Sequence, residues 1–339
     1  MKPIFWLDNF SHNLVNSNEL PDIINQNNIS GLTSNPTILA NAIKNDNYYQ
    51  QKLLSFSRLN KETKYNELVF PDIAKACDMF LPLYESSKHQ TGFVSLELDP
   101  KYTFNVNESI NSAIAINNTI DKPNLMIKVP ASSEGIIVME ELIKLGINVN
   151  VTLIFNLEQV QSVWQAYINA INYRHEKGLP LTIRAVASFF ISRLDTIADT
   201  MLPENLQAKA AINLAISAYE AYKQLFSNSN WQKLANNGAI AQTLLWASVG
   251  VKNPQYAKDK YIKELYLPDT IFTIPPNLVK NYEYQDLTVD NIKQSKQILE
   301  NIEIELKKNN TSIAILTKQL FADAVHNFQQ SFQELISIL

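Results

Sequence analysis

Glycine is scarce in this chain, with seven in 339 residues. No GxGxxG fingerprint and no P-loop can be built from them, which removes the usual glycine cradles for dinucleotides and nucleoside triphosphates. Cysteine occurs once, at Cys77. An internal disulfide is therefore excluded, and the chain suits a reducing compartment. The neighbours of Cys77, Ala-Lys-Ala before it and Asp-Met-Phe after it, read as a helix face and core packing. The four histidines, His12, His89, His175 and His326, lie far apart and lack metal-ligand spacing. No run approaches about eighteen uncharged apolar residues, so no membrane span is expected. The opening residues run straight into Phe5-Trp6-Leu7-Asp8 without the apolar core of a secretory signal, and a cytoplasmic location is the expectation. A net charge of −4 with no basic stripe or RGG-like tract argues against nucleic acid as a partner.

What is present is an ordered globular composition, 46% hydrophobic and 18% charged. The length permits one large barrel or two ordinary domains. Short apolar runs bounded by proline, glycine or asparagine read as strands over 4–8, 29–35, 93–98, 124–130, 147–155, 182–189, about 240–247 and about 270–274. Helical periodicity fills the intervals: a short helix at 19–26, a long helical stretch within 36–92, then 107–118, 133–145 ended by Gly146, 157–173 and 192–234. Two more helices form the tail. The last has Thr311 as its N-cap and an apolar face of Phe321, Val325, Phe328, Phe332 and Leu335.

Strands alternating with helices imply a parallel sheet. Eight strands close a (β/α)8 TIM barrel, and the surplus over about 250 residues goes into helical insertions and a C-terminal helical extension. An open doubly wound sheet is the rival, but it would prefer a glycine-rich first turn. The reading is a single α/β barrel domain over residues 1–339, with C-terminal helices from 276 to 339 packed on it.

Lys128 stands inside the apolar run that Pro123 and Pro130 bound. A buried ammonium is costly, so such a lysine is paired or gives up its proton, and a neutral amine in an apolar pocket is a nucleophile. A lysine at a strand end also reaches solvent through its methylene stem, so its neighbours decide. Side chains alternate faces along a strand. Met126 and Lys128 then share a face, as do Trp6 and Asp8, Thr33 and Asn35, Ser95 and Glu97, Asn150 and Thr152, and Ser188 and Phe190. Their opposite faces are apolar and suit the outer helices. The mixed faces point inward, which gathers Asp8, Asn35, Glu97, Lys128, Asn150, Thr152 and Ser188 near the strand C-termini, where barrel enzymes build active sites.

An inward lysine beside carboxylates suggests imine chemistry on a carbonyl substrate. The iminium drains electrons from the neighbouring bond, while Glu97 and Asp8 supply general acid–base groups. Asp8 could instead form a barrel salt bridge to Lys128. Asn150 and Thr152 could be interior hydrogen-bond fillers. Past strands six and seven, Ser188-Phe-Phe-Ile-Ser-Arg193 and Ser248-Val-Gly-Val-Lys252 carry cations where such barrels often hold phosphate.

These stretches resemble the transaldolases, over nearly the whole chain and in order. Gly31-Leu-Thr-Ser-Asn-Pro-Thr-Ile38 is similar to the family's N-terminal signature. Asn124-Leu-Met-Ile-Lys-Val-Pro-Ala131 is similar to its active-site signature. Further blocks lie at 146–155, 187–195 and 245–254. The resemblance implies that Lys128 forms a Schiff base with a ketose phosphate. Glu97 would serve acid–base steps through a water, and Asp8 would take the hydroxyl proton as the bond breaks. Thr33, Asn35, Asn150 and Thr152 would hold the dihydroxyacetone unit and the water, beside Phe190. Ser188, Arg193, Ser248 and Lys252 would bind phosphate. The implied reaction converts sedoheptulose 7-phosphate and glyceraldehyde 3-phosphate to erythrose 4-phosphate and fructose 6-phosphate. No metal or organic cofactor is expected, and the partners are sugar phosphates; relatives in the family are often homodimers, while the sequence itself leaves the oligomeric state open. The chain departs from the family pattern at Thr243-Leu244 and at Val249. The alternatives are a fructose 6-phosphate aldolase, in which a glutamine and a tyrosine would stand at Glu97 and Phe190, and a non-catalytic sugar-phosphate-binding barrel.

Overall fold

The computed structural model describes residues 4–27, 29–278 and 289–339. Eight parallel strands close a barrel in sequence order. They are β1 (Ile4–Asp8), β2 (Ile29–Thr33), β3 (Phe93–Glu97), β4 (Leu125–Pro130), β5 (Val149–Ile154), β6 (Ala185–Phe190), β7 (Thr243–Ala247) and β8 (Thr270–Ile274). The last pairs back onto the first, Trp6 opposite Thr273. Helices alternate with the strands on the outside, giving the (β/α)8 arrangement with a C-terminal helical extension.

The period-2 alternation sorts the side chains as the sequence implies. Leu7, Leu32, Val94, Leu96, Ile127, Val149, Val151 and Ala187 join the helices in the large outer core. Trp6, Phe93, Met126, Val186, Leu245 and Ile271 meet in a separate buried cluster inside the barrel. Burial of these large faces is the main favourable term in folding. Gly31 makes room for that inner layer: a Cβ there would stand 2.5 Å from the Trp6 indole nitrogen. The inner apolar layer is the floor on which the polar ends of the strands rest.

Local signals set the helices that follow the strands. In the helix Ser133–Leu145, Ser132 Oγ accepts from the Gly135 amide at 2.9 Å. Gly146, at φ +89°, ends it in the left-handed region. The stretch 192–234 is three helices, Ser192–Ala198, Ala210–Ser227 and Ser229–Ala235, with Asn228 capping the last of them. The interval 36–92 is likewise three, Pro36–Asn45, Asn47–Ser55 and Lys61–Ser86. The last helix, Ile313–Ile338, is capped by Ser312, not by its neighbour Thr311: Ser312 Oγ accepts from the Ile315 amide at 3.2 Å. Ser312 holds the extended backbone of an N-cap, at φ −155° and ψ 166°, from which the side chain reaches the amide three residues on. Among the described residues no helix is long and apolar enough to cross a membrane, and no group of three or more His, Cys, Asp or Glu is arranged to hold a metal ion.

Candidate active site

Strand register assembles the site. Glu97 on β3 lies opposite Lys128 on β4, and Lys128 lies opposite Asn150 on β5. On the other side Asp8 lies opposite Thr33, and Thr33 opposite Ser95. Asp8, Thr33 and Glu97 end their strands and Lys128 lies two residues from the end of β4, while Ser95 is mid-strand and Asn150 lies near the start of β5, level with Lys128 by register, so their polar groups converge above the Trp6–Met126 floor.

Lys128 Nζ forms an ion pair with Glu97 Oε1. It also donates to the Ser34 carbonyl at 3.0 Å and to Thr33 Oγ1 at 3.3 Å. The lysine side chain is 10% exposed and that of Glu97 2%, so the amine borders the cavity while the carboxylate stands behind it. The second carboxylate oxygen, Oε2, accepts from Ser34 Oγ at 3.2 Å. Burial raises the affinity of Glu97 for a proton, against the opposing charge of Lys128 and its hydrogen bonds. Burial raises that of Asp8 too, again partly offset by Lys128. The ion pair of Lys128 is thus with Glu97, which leaves Asp8 as a second carboxyl under the field of the same amine.

Next to the amine runs a polar chain. Asn150 Nδ2 donates to Ser95 Oγ at 3.2 Å, and Ser188 Oγ donates to Asn150 Oδ1 at 2.7 Å. This fixes the asparagine's orientation across three strands. Asn35 begins the helix Pro36–Asn45 as its N-cap, accepting from the Ile38 amide at 2.9 Å. It lies just beyond β2, and the cap leaves its amide nitrogen available to the cavity.

A cavity of about 450 Å³ joins these groups. Asp8, Thr33, Asn35, Lys128, Asn150, Thr152, Ser188, Phe190, Arg193, Ser248 and Lys252 all line it. Glu97 does not, and reaches the cavity only through Lys128; its far side borders a second cavity of about 720 Å³ under the last helix. Arg193 lies with its guanidinium 5.4 Å from the Phe190 ring centre, and burial lowers its pKa from the ordinary arginine value. Ser248 adopts φ +55°, a strained conformation for serine, beside Ser192 at 3.3 Å between hydroxyl oxygens. The Ser192 amide donates to the Ser248 carbonyl at 3.1 Å, so the turns after β6 and β7 are tied together. Two tyrosines fasten the same loops. Tyr261 donates to Asp195 at 2.9 Å and Tyr256 to Asp199 at 2.8 Å, anchoring the helix that carries Arg193.

Several groups of the site escape the sequence reading. Alternation from Asn150 and Thr152 turns Leu153 outward, yet it lines the cavity. It takes φ +62° where the β5–β6 register shifts, so the strand's alternation breaks there. Ser34, which holds Glu97, follows the end of β2 and obeys no strand parity. Asn327, Phe328 and Ser331 come from the last helix, across the mouth of the barrel. Ser331 Oγ accepts from Thr37 Oγ1 at 3.1 Å, which ties that helix to the start of Pro36–Asn45. Phe328 was legible only as part of an apolar helical face.

The profile of the family described as "Transaldolase/Fructose-6-phosphate aldolase" matches residues 5–339. The chain belongs to this family. A transaldolase of Thiobacillus denitrificans is 36% identical over 342 residues, covering 98% of this chain and 95% of that protein. A transaldolase of Trichodesmium erythraeum is 35% identical over 356 residues, covering 98% and 93%. One from Neisseria gonorrhoeae is 35% identical over 337 residues, covering 98% and 96%. This member of the transaldolase family is accordingly an enzyme, a transferase with transaldolase-type class I aldolase chemistry.

Proposed function

We propose that the chain transfers a dihydroxyacetone unit from sedoheptulose 7-phosphate to glyceraldehyde 3-phosphate through a Schiff base on Lys128. Erythrose 4-phosphate and fructose 6-phosphate are the products. The observation that carries this reading is the Lys128–Glu97 contact at the wall of a cavity that also holds Arg193.

The amine must be unprotonated to add to the ketose carbonyl. Its proton has an acceptor in direct contact, Glu97, whose burial favours the protonated form. The carbinolamine then loses its hydroxyl as water, with Glu97 returning a proton through a water, and the iminium forms. The iminium draws in the electron pair of the adjacent carbon–carbon bond, and Asp8 takes the proton of the hydroxyl on the departing carbon. The aldose leaves. The three-carbon enamine stays on Lys128, with Thr33, Asn35, Asn150 and Thr152 holding its hydroxyls until an acceptor aldehyde arrives and the steps reverse. Ser188, Arg193, Ser248 and Lys252 form the phosphate grip, the guanidinium supplying a planar fork for oxyanions.

Product analysis tests the reading. Fructose 6-phosphate alone should release little dihydroxyacetone, and adding an aldose phosphate acceptor should start rapid turnover. Fast acceptor-independent release would reject transfer in favour of an aldolase. Arg193→Ala should raise KM for phosphorylated substrates by about 10- to 100-fold, the cost of one charge-assisted contact. An equal effect on an unphosphorylated ketose would remove Arg193 from the grip.

The carboxyls give a pH dependence. Asp8 and Glu97 act as bases when ionised, and burial raises both. Activity should therefore fall on the acid side with a midpoint above 4.5, the ordinary glutamate value. A kcat/KM profile still flat at that pH would contradict the assignment.

A further inference from the structure

The opposite mouth of the barrel, at the strand N-termini, holds a cation that the reaction does not use. Arg184 immediately precedes β6 and shares the inward parity of Val186 and Ser188. It is 6% exposed. Its Nη2 donates to Thr243 Oγ1 at 2.9 Å, whereas Nε and Nη1 are buried without a hydrogen-bond partner. No ion pair involves it among the described residues. Three tyrosines stand near it, Tyr167, Tyr222 and Tyr84, all neutral near pH 7 and so no counter-charge. Arginine does not give up its proton in proteins, and a buried charge without a counter-ion is costly. An orphaned buried guanidinium is therefore a demand for a negative partner.

A cavity of about 380 Å³ opens beside it, within the range of small-ligand sites. Arg184, Thr243 and Tyr222 belong to its polar wall, which Ser87, Gln90, Thr91 and Thr270 extend, and Ile240, Ala241 and Ile271 to an apolar one. Asp269 also lines it, which disfavours an occupant of high negative charge. The inner layer of Trp6, Met126, Val186 and Leu245 separates this mouth from Lys128. We propose that this cavity binds a small organic monocarboxylate, its carboxylate beside Arg184 and Thr243 and its apolar body against Ile240, Ala241 and Ile271. Binding there neither requires nor blocks the substrate cavity.

Thermal unfolding with benzoate as probe, against uncharged benzamide at matched ionic strength, tests this. Benzoate should raise Tm by about 2 °C at ten times its dissociation constant, since a ligand that binds only the folded chain stabilises it by mass action. Benzamide should not. The shift should persist in Arg193→Ala, which lacks the only guanidinium among the residues lining the other cavity, and vanish in Arg184→Met. Should Arg184→Met fail to fold, Ala241→Trp keeps the guanidinium but fills the cavity, and it too should abolish the shift. No benzoate shift in the wild type, an equal shift with benzamide, a shift retained in Ala241→Trp, or one lost in Arg193→Ala would overturn the proposal.

Discussion

Replacing Lys128 by alanine should abolish transfer, with kcat/KM falling by at least about 10⁴-fold, or roughly 5 kcal/mol of transition-state stabilisation. The size follows from the role. Without the amine there is no iminium at that position to accept the electron pair of the breaking bond, the cavity's other amine, Lys252, being assigned to the phosphate grip. Thr33, Asn150, Ser188 and Arg193 remain, so substrate should still bind. The fold should survive, because Lys128 borders the cavity and the apolar floor beneath it is untouched. Glu97 would lose its counter-charge, but a buried carboxyl can take up a proton instead. Steady-state rates with the native circular dichroism spectrum check both halves. A variant that retains even a hundredth of the activity would remove Lys128 from the chemistry.

Glu97→Gln should cost about 10²- to 10⁴-fold in kcat, the usual weight of a positioned acid–base group, with a much smaller change in KM. Glutamine has the same shape and still accepts from Ser34, so the local packing is kept. What it cannot do is take a proton from Lys128 or return one to the departing hydroxyl. The loss should fall on formation and hydrolysis of the imine, and the acid-side dependence of the rate should change because one titrating group is gone. An unaltered kcat would mean that the buried pair is structural. Asp8→Asn addresses the other half of the proton traffic, at the carbon–carbon bond.

Much of this site could be read from the chain because a barrel strand has a rigid rule: alternate residues face opposite ways. Lys128 pairs with Glu97 and Asn150 across neighbouring strands because all three obey that rule at similar depth. The same rule separated Trp6 and Met126, inside, from Leu7 and Ile127, outside. It failed where the strand ended or bulged. Ser34 lies one residue beyond β2, and Leu153 occupies the left-handed region where β5 loses register. It was silent about Asn327, Phe328 and Ser331, since an amphipathic helix states which face is apolar but not which cavity that face covers. Helix breaks inside 192–234 were missed because the apolar period runs on across the turns that Pro203 and Asn228 mark. The whole-chain resemblance supplied the reaction, which alternation alone cannot give.

The most direct test is to trap the intermediate. Enzyme incubated with fructose 6-phosphate and reduced with borohydride should gain one reduced three-carbon adduct per chain, and peptide mass analysis should locate it on the fragment containing Lys128. An adduct on a different lysine, or none when turnover is demonstrable in the same preparation, would contradict the account.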